Sequence, residues 1–141
     1  MTDCEQVLSS VDIFADFPRE FVRRLAASAR LETYAAGDVV VRQGDAATAF
    51  FVVTSGSLEV LRSEGAAGEF VAATLGPGRF FGEMALLREG HRTATVRARE
   101  ASECLILEKS ALDAELRKDP NSAAVLATRL ARRINMIRPR A

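Results

Sequence analysis

Phe81-Gly82-Glu83-Met84-Ala85-Leu86-Leu87, with Arg92-Thr93-Ala94-Thr95-Val96 following it, is the stretch from which the rest of the chain can be placed. Gly82 has no Cβ and lets backbone come close to a ligand. Residues 83–89 have the composition of about two helical turns, with Gly90 placed to end them. The first N–H groups of a helix lack internal partners and carry the positive end of its dipole, so such a start favours an anion. Arg92 opens the next apolar segment, and its planar, permanently charged fork suits two phosphate oxygens. Glu83 in the same turn calls for a hydroxyl donor, because a carboxylate only accepts. A ligand that offers a phosphate beside a free ribose 2′-OH, a small nucleotide, answers both.

Outward from this stretch the period is short. Runs of β type fall at 31–35, 39–42, 50–54, 57–62, 69–75, 93–98 and 104–108. Turn signals separate them: Ala36-Gly37-Asp38, Gln43-Gly44-Asp45, Ser55-Gly56, Gly65 to Gly68, and Gly76-Pro77-Gly78. Many short strands at close spacing argue for a sandwich or barrel. Ahead of them, residues 1–11 have weak helical spacing through Val7, Leu8 and Val11, and 12–17 form an apolar turn. Pro18 fits the first turn of a helix in which Phe21, Leu25 and Ala29 recur at a spacing of four. Behind the strands, Ser110 is placed to cap a helix that carries Leu112 and Leu116 and stops before Pro120. Asn121 is placed to cap a second helix, with Leu126, Leu130 and Ile134 on one face and Val125 and Ile137 flanking. Arg129, Arg132, Arg133, Arg138 and Arg140 give this end a basic bias.

Composition narrows the function classes. A length of 141 residues with 48% hydrophobic content is one domain with a real core. A formal net charge of zero gives no general attraction to nucleic acid or anionic membrane. Cys4 and Cys104 lie far apart and form no motif, which reads as free thiols in a reducing cytosol. No apolar run is long enough for a bilayer and no basic-then-apolar leader opens the chain, so the expected location is cytoplasmic. His91 is the sole histidine, so no histidine metal cluster or triad can be built; it reads as a loop residue near the phosphate site.

The pattern F-G-E-x-A-L-L followed by R-T-A-T-V resembles the phosphate-binding cassette of cyclic-nucleotide-binding domains. These serve cAMP- and cGMP-dependent kinases, cyclic-nucleotide-gated channels and catabolite-activator-type regulators. Val40-Val41-Arg42-Gln43-Gly44-Asp45, with Phe50-Phe51-Val52-Val53-Thr54-Ser55-Gly56 after it, is similar to the earlier signature of the same family. The likeness runs from about Asp12 to the C-terminus. It implies an α+β fold: an eight-stranded antiparallel jelly-roll β-barrel with N-terminal helices, a short cassette helix and two C-terminal helices. It divides the chain into a helical segment 1–30, a barrel 31–108 with the cassette at 81–95, and hinge and lid helices 109–141, all one domain.

The resemblance also implies roles. Arg92 would hold the phosphate, with backbone N–H groups from Gly82, Ala85 and Leu86, and with Thr93 and a small Ala94 beside it. Glu83 would take the ribose 2′-OH. Val60, Ala73, Leu75 and Phe81 would form the apolar wall against purine and ribose; plain barrel core is the alternative for the first three. Arg129-Leu130-Ala131-Arg132 resembles the R-L-x-R segment of gated channels, which makes Arg132 the base contact with Arg129 and Arg133 behind it. The alternative is a basic helix end that complements its own dipole. Threonine at Thr93 is common where cGMP is preferred, yet no other guanine-reading group is evident, so the expectation is cAMP before cGMP.

The implied protein is a non-enzymatic sensor with no cofactor. Its lid helix would transmit binding to an effector protein or a missing effector domain. A DNA-binding module after the barrel would need several dozen more residues, so direct DNA contact is not expected, nor is a membrane segment. The alternatives are a non-binding interaction module of the same fold, against which Gly82, Glu83 and Arg92 count, and an excised regulatory domain of a channel or transporter. A jelly-roll enzyme, such as the metal-dependent cupins, lacks a nucleophile, acid–base pair or metal set here.

Overall fold

The computed structural model describes residues 2–63, 68–86 and 90–137, with backbone alone for 133–137. Eight strands form two four-stranded antiparallel sheets. They are β1 Arg30–Tyr34, β2 Val39–Val41, β3 Ala49–Ser55, β4 Leu58–Ser63, β5 Glu69–Leu75, β6 Phe80–Phe81, β7 Thr95–Ala98 and β8 Ser102–Glu108. The sheet orders are β1-β8-β3-β6 and β2-β7-β4-β5. The eight-stranded antiparallel roll expected from the sequence is thus present, as two facing sheets open at their edges. Helices α1 Cys4–Ser9 and α2 Arg19–Ser28 flank a 3₁₀ turn at Asp12–Phe14; α3 Lys109–Leu116 and α4 Pro120–Ile137 follow β8.

The β3 and β8 sequences explain the layering. Both are almost continuously apolar, which suits strands covered on two faces. Successive side chains point to opposite faces. Ala49, Phe51 and Val53, with Cys104 and Ile106, meet Leu58, Leu75, Val96 and Ala98 of the second sheet. Phe50 and Val52, with Leu105 and Leu107, meet Leu8, Phe14, Phe21, Leu25, Leu112, Leu126 and Leu130 from the helices. The result is three layers, with the first sheet in the middle and a separate core on either side. Cys4 and Cys104 are both free, and burial pushes the Cys104 thiol up to about 12.

Several local expectations are corrected. Residues Phe80–Phe81 form a strand against β3, in register Phe51↔Phe81 and Val52↔Phe80; two residues are too few to show a period. Strand β7 starts at Thr95, because 90–92 bond to the loop before β3 instead. Pro18 precedes α2 as its cap residue, with φ −53° and ψ 134°. Ser110 lies inside α3, which starts at Lys109 directly after β8. Asn121 does not cap α4. Asp119 does, accepting from the Ser122 N–H at 3.1 Å and its hydroxyl at 2.8 Å, while Pro120 takes the first helical position, where its missing N–H is harmless. The turn at 65–67 and the cassette residues 87–89 lie outside the described residues, as do the side chains of Ile134 and Ile137 and all of Arg138 and Arg140. Among the described residues no helix is long and apolar enough to cross a membrane.

Phe50 is fully buried, with edge-on contact to Phe14 and a tilted contact to Phe80. Phe50→Ala should lower the unfolding free energy by about 3–5 kcal/mol in urea titration. Val71→Ala, at a side chain 53% exposed, should cost less than about 1 kcal/mol. Equal losses would mean that the helix-side core is not what stabilises the fold.

Candidate functional site

Residues 90–92 are fixed to the loop before β3 by three backbone bonds. Ala47 N–H donates to Gly90 O at 2.9 Å, Arg92 N–H to Asp45 O at 2.7 Å, and Gly44 N–H to Arg92 O at 2.8 Å. His91 bridges Ala46 between them. The clamp aims the Arg92 side chain inward. Its Nη2 donates to Ala49 O at 2.8 Å, and its guanidinium lies 5.4 Å from the centre of the Phe51 ring. Phe51 is stacked on Phe81, with centroids 4.7 Å apart and 8° between planes.

Arg92 is partly buried, and that burial lowers its pKa from the ordinary arginine value, with Glu108 and Asp45 partly offsetting the effect. An arginine stays charged through such a shift. Among the described residues no carboxylate stands within ion-pair distance of it. A partly desolvated cation without a counter-charge is costly, and an anion in the adjoining space would offset that cost.

Gly82 makes room for this arginine. Its φ is +81°, and a Cβ there would stand 2.6 Å from Arg92 Nη1 and 2.9 Å from Ala49 O. The close approach read into Gly82 from sequence is therefore, in this structure, an approach of Arg92 and the β3 backbone. After it comes a single 3₁₀ turn, Glu83–Leu86, whose Ala85 N–H is spent on Gly82 O at 3.0 Å.

A pocket of about 180 Å³ opens beside Arg92. Of the residues expected there, Gly82, Ala85, Arg92, Thr93 and Ala94 line it, with Val60 and Phe81 as apolar wall. The others lie elsewhere. Glu83 faces a separate depression with Asp12, Gly78, Arg79 and Phe80. Leu86 points into the helix-side core, and Leu75 into the core between the sheets. Ala73 is exposed on β5, opposite Val60. Arg129 closes the N-terminal 3₁₀ turn: it donates to the carbonyls of Asp12, Ile13 and Ala15 and lies 5.0 Å from the Phe17 ring centre. Arg132 is exposed on α4, near Val125 and Thr128, and the Arg133 side chain lies outside the described residues.

Val41, Ala47, Met84 and Val96 also line the pocket, and sequence reasoning gave them no place in it; His91, read as a loop residue near the phosphate site, lines it too. The Phe51 platform was missed as well. Its signal is alternation, which puts Phe51 on the same face of β3 as Ala49 and Val53. Among the described residues no group of three or more His, Cys, Asp or Glu could hold a metal ion.

The double-sheet antiparallel roll thus holds a partly buried arginine beside a small pocket. The chain belongs to the family described as the cyclic nucleotide-binding domain, which matches residues 31–119. It is 41% identical over 101 residues to the cyclic AMP receptor protein of Thermus thermophilus, covering 72% of this chain and 47% of that protein. Its fold matches the N-terminal domain of a transcriptional regulator from Streptomyces coelicolor with a TM-score of 0.84, 32% identity and 94% coverage of each chain. It also matches the regulatory domain of Toxoplasma gondii PKA, solved with cAMP, with a TM-score of 0.77 and 25% identity over 94% of this chain and 49% of that one. This chain thus spans about half the length of the Thermus protein and of the solved Toxoplasma regulatory-domain chain.

Gly82→Ala should destabilise by at least about 2 kcal/mol in urea titration, since backbone strain and the clash with Ala49 O add. Gly44, with φ +93° and open space around it, is the control: Gly44→Ala carries the strain alone, about 1 kcal/mol. Equal losses would mean that Gly82 is kept for its backbone angle and not for the arginine.

Proposed function

We propose that this chain is a sensor that binds a cyclic nucleotide, cAMP in preference to cGMP, and transmits binding through its C-terminal helices. The observation that carries this reading is the partly buried Arg92 with no carboxylate partner among the described residues. A cyclic phosphodiester presents two free oxygens, which match the guanidinium fork. Val60 and Phe81 offer an apolar side for the ribose and base. Against guanine, the described lining supplies the single hydroxyl of Thr93 and no carboxylate or amide side chain, which favours adenine.

Transmission begins in the cassette turn. In the proposed bound state the turn rewinds, so that Glu83 leaves its present depression for the ribose 2′-OH. The N–H groups of Gly82, Ala85 and Leu86 then turn to the phosphate. Leu86 shares one core with Leu126 and Leu130 of α4, and the turn packs against both α3 and α4. Moving Leu86 therefore displaces these helices, which brings exposed Arg132 within reach of the base. The nucleotide acts by population shift, binding better to the state with the helices closed. Segments 1–30, 31–108 and 109–141 work as one cytoplasmic unit whose output is taken by an effector protein or effector domain.

Calorimetric titration with cAMP and cGMP tests the reading. Saturable binding is expected, tighter for cAMP, and Arg92→Ala should weaken it at least about tenfold. No binding of either nucleotide by folded protein would replace the sensor with a protein-interaction module of the same fold.

A further inference from the structure

His91 lines the pocket beside Arg92, Thr93 and Ala94. Its backbone is held by the bridge to Ala46, between the Ala47–Gly90 and Arg92–Asp45 hydrogen bonds. Its side chain is exposed at the rim, and among the described residues it has no hydrogen bond or ion pair. Arg92 and His91 thus put two basic side chains on one small pocket, one deep and permanently charged, the other shallow and free.

Among the described residues, the charged groups near His91 can be named element by element. Arg92 follows it on its own segment. Glu108 at the end of β8 and Asp45 on the facing loop both act electrostatically on Arg92. Glu83, on the cassette turn, lines the other depression. The rest of the pocket lining is Val41, Ala47, Val60, Phe81, Gly82, Met84, Ala85, Thr93, Ala94 and Val96, none of which titrates near neutrality. A cyclic phosphodiester keeps its single negative charge throughout the neutral range. Histidine is the side chain whose charge ordinarily changes between about pH 5 and 8.

We propose that His91 is a second, proton-gated cation for the ligand's phosphodiester, so that this sensor binds its nucleotide more tightly as pH falls. The inference rests on the cyclic-nucleotide reading above. The imidazolium adds one positive charge and one N–H donor at the mouth of the pocket. The sign follows: the protonated form binds better, so affinity rises as pH falls through the imidazole range and is lost above it. By linkage, binding near the middle of that range takes up part of a proton. A rim position in water limits the effect to about three- to tenfold.

The test is calorimetric titration of the full chain with cAMP from about pH 5.5 to about pH 8, in buffers of differing ionisation enthalpy. Wild type, His91→Gln and His91→Lys are compared, with circular dichroism confirming the fold at each pH. Wild type should gain affinity about three- to tenfold towards acid and take up a fraction of a proton. His91→Gln should lose both effects, and His91→Lys should hold one affinity across the range. Binding that is independent of pH, or a pH dependence that survives in His91→Gln, overturns this inference and leaves the sensor reading standing. Absence of binding at every pH overturns both.

Discussion

The hydrogen bond from Arg92 to the Ala49 carbonyl is the constraint around which the site is arranged. It takes a charged side chain out of water and spends one donor of its fork on the protein. Each neighbouring feature accommodates it. Gly82 gives up a Cβ so that the guanidinium fits, Phe51 and Phe81 supply a flat face beneath, and the bonds to Gly44 and Asp45 keep the backbone from backing away. Among the described residues no carboxylate is within ion-pair distance of the permanent charge; Glu108 and Asp45 act on it only from farther away. The cation is pre-positioned, so a phosphate need not bear the entropy of ordering it.

Around this constraint the layers divide the work. The second sheet and the near face of the first enclose the pocket side. The helices cover the far face, where α3 and α4 meet the cassette turn. Arg24 and Glu115, 3.1 Å apart, join α2 to α3, and Arg129 joins α4 to the 3₁₀ turn before α2. The C-terminal helices therefore rest on the N-terminal ones as much as on the roll.

Much of this was legible in the chain itself. Short apolar runs with glycine turns gave the strands; β3 and β8, covered on both faces, read as unbroken apolar runs and not as alternation. Phe81, Gly82, Arg92, Thr93 and Ala94 of the two motifs do line one pocket, since Gly82 and Arg92 answer to steric and charge needs that few residues meet. What was hidden depended on distance in space. Nothing local distinguishes Arg129, which reaches the N-terminal turn, from Arg132, which faces solvent on the same helix. Likewise Glu83 sits in the expected motif, yet a turn of 3₁₀ geometry directs it to a different depression. The cap of α4 was missed because Asn121 and Asp119 are both good caps, and only Pro120 at the first helical position decides between them.

The alternation of β3 has an evolutionary consequence. Ala49, Phe51 and Val53 belong to the ligand-side core, Phe50 and Val52 to the helix-side core, and the two sets share no residue. Substitutions at odd positions act on the side where Phe51 lies against Arg92, away from the helices. Changes at even positions act on the packing against the helices and leave the Phe51 side in place. One strand thus keeps the support of the arginine and the seat of the helices in separate registers, so that either can change by substitution while the other stays fixed.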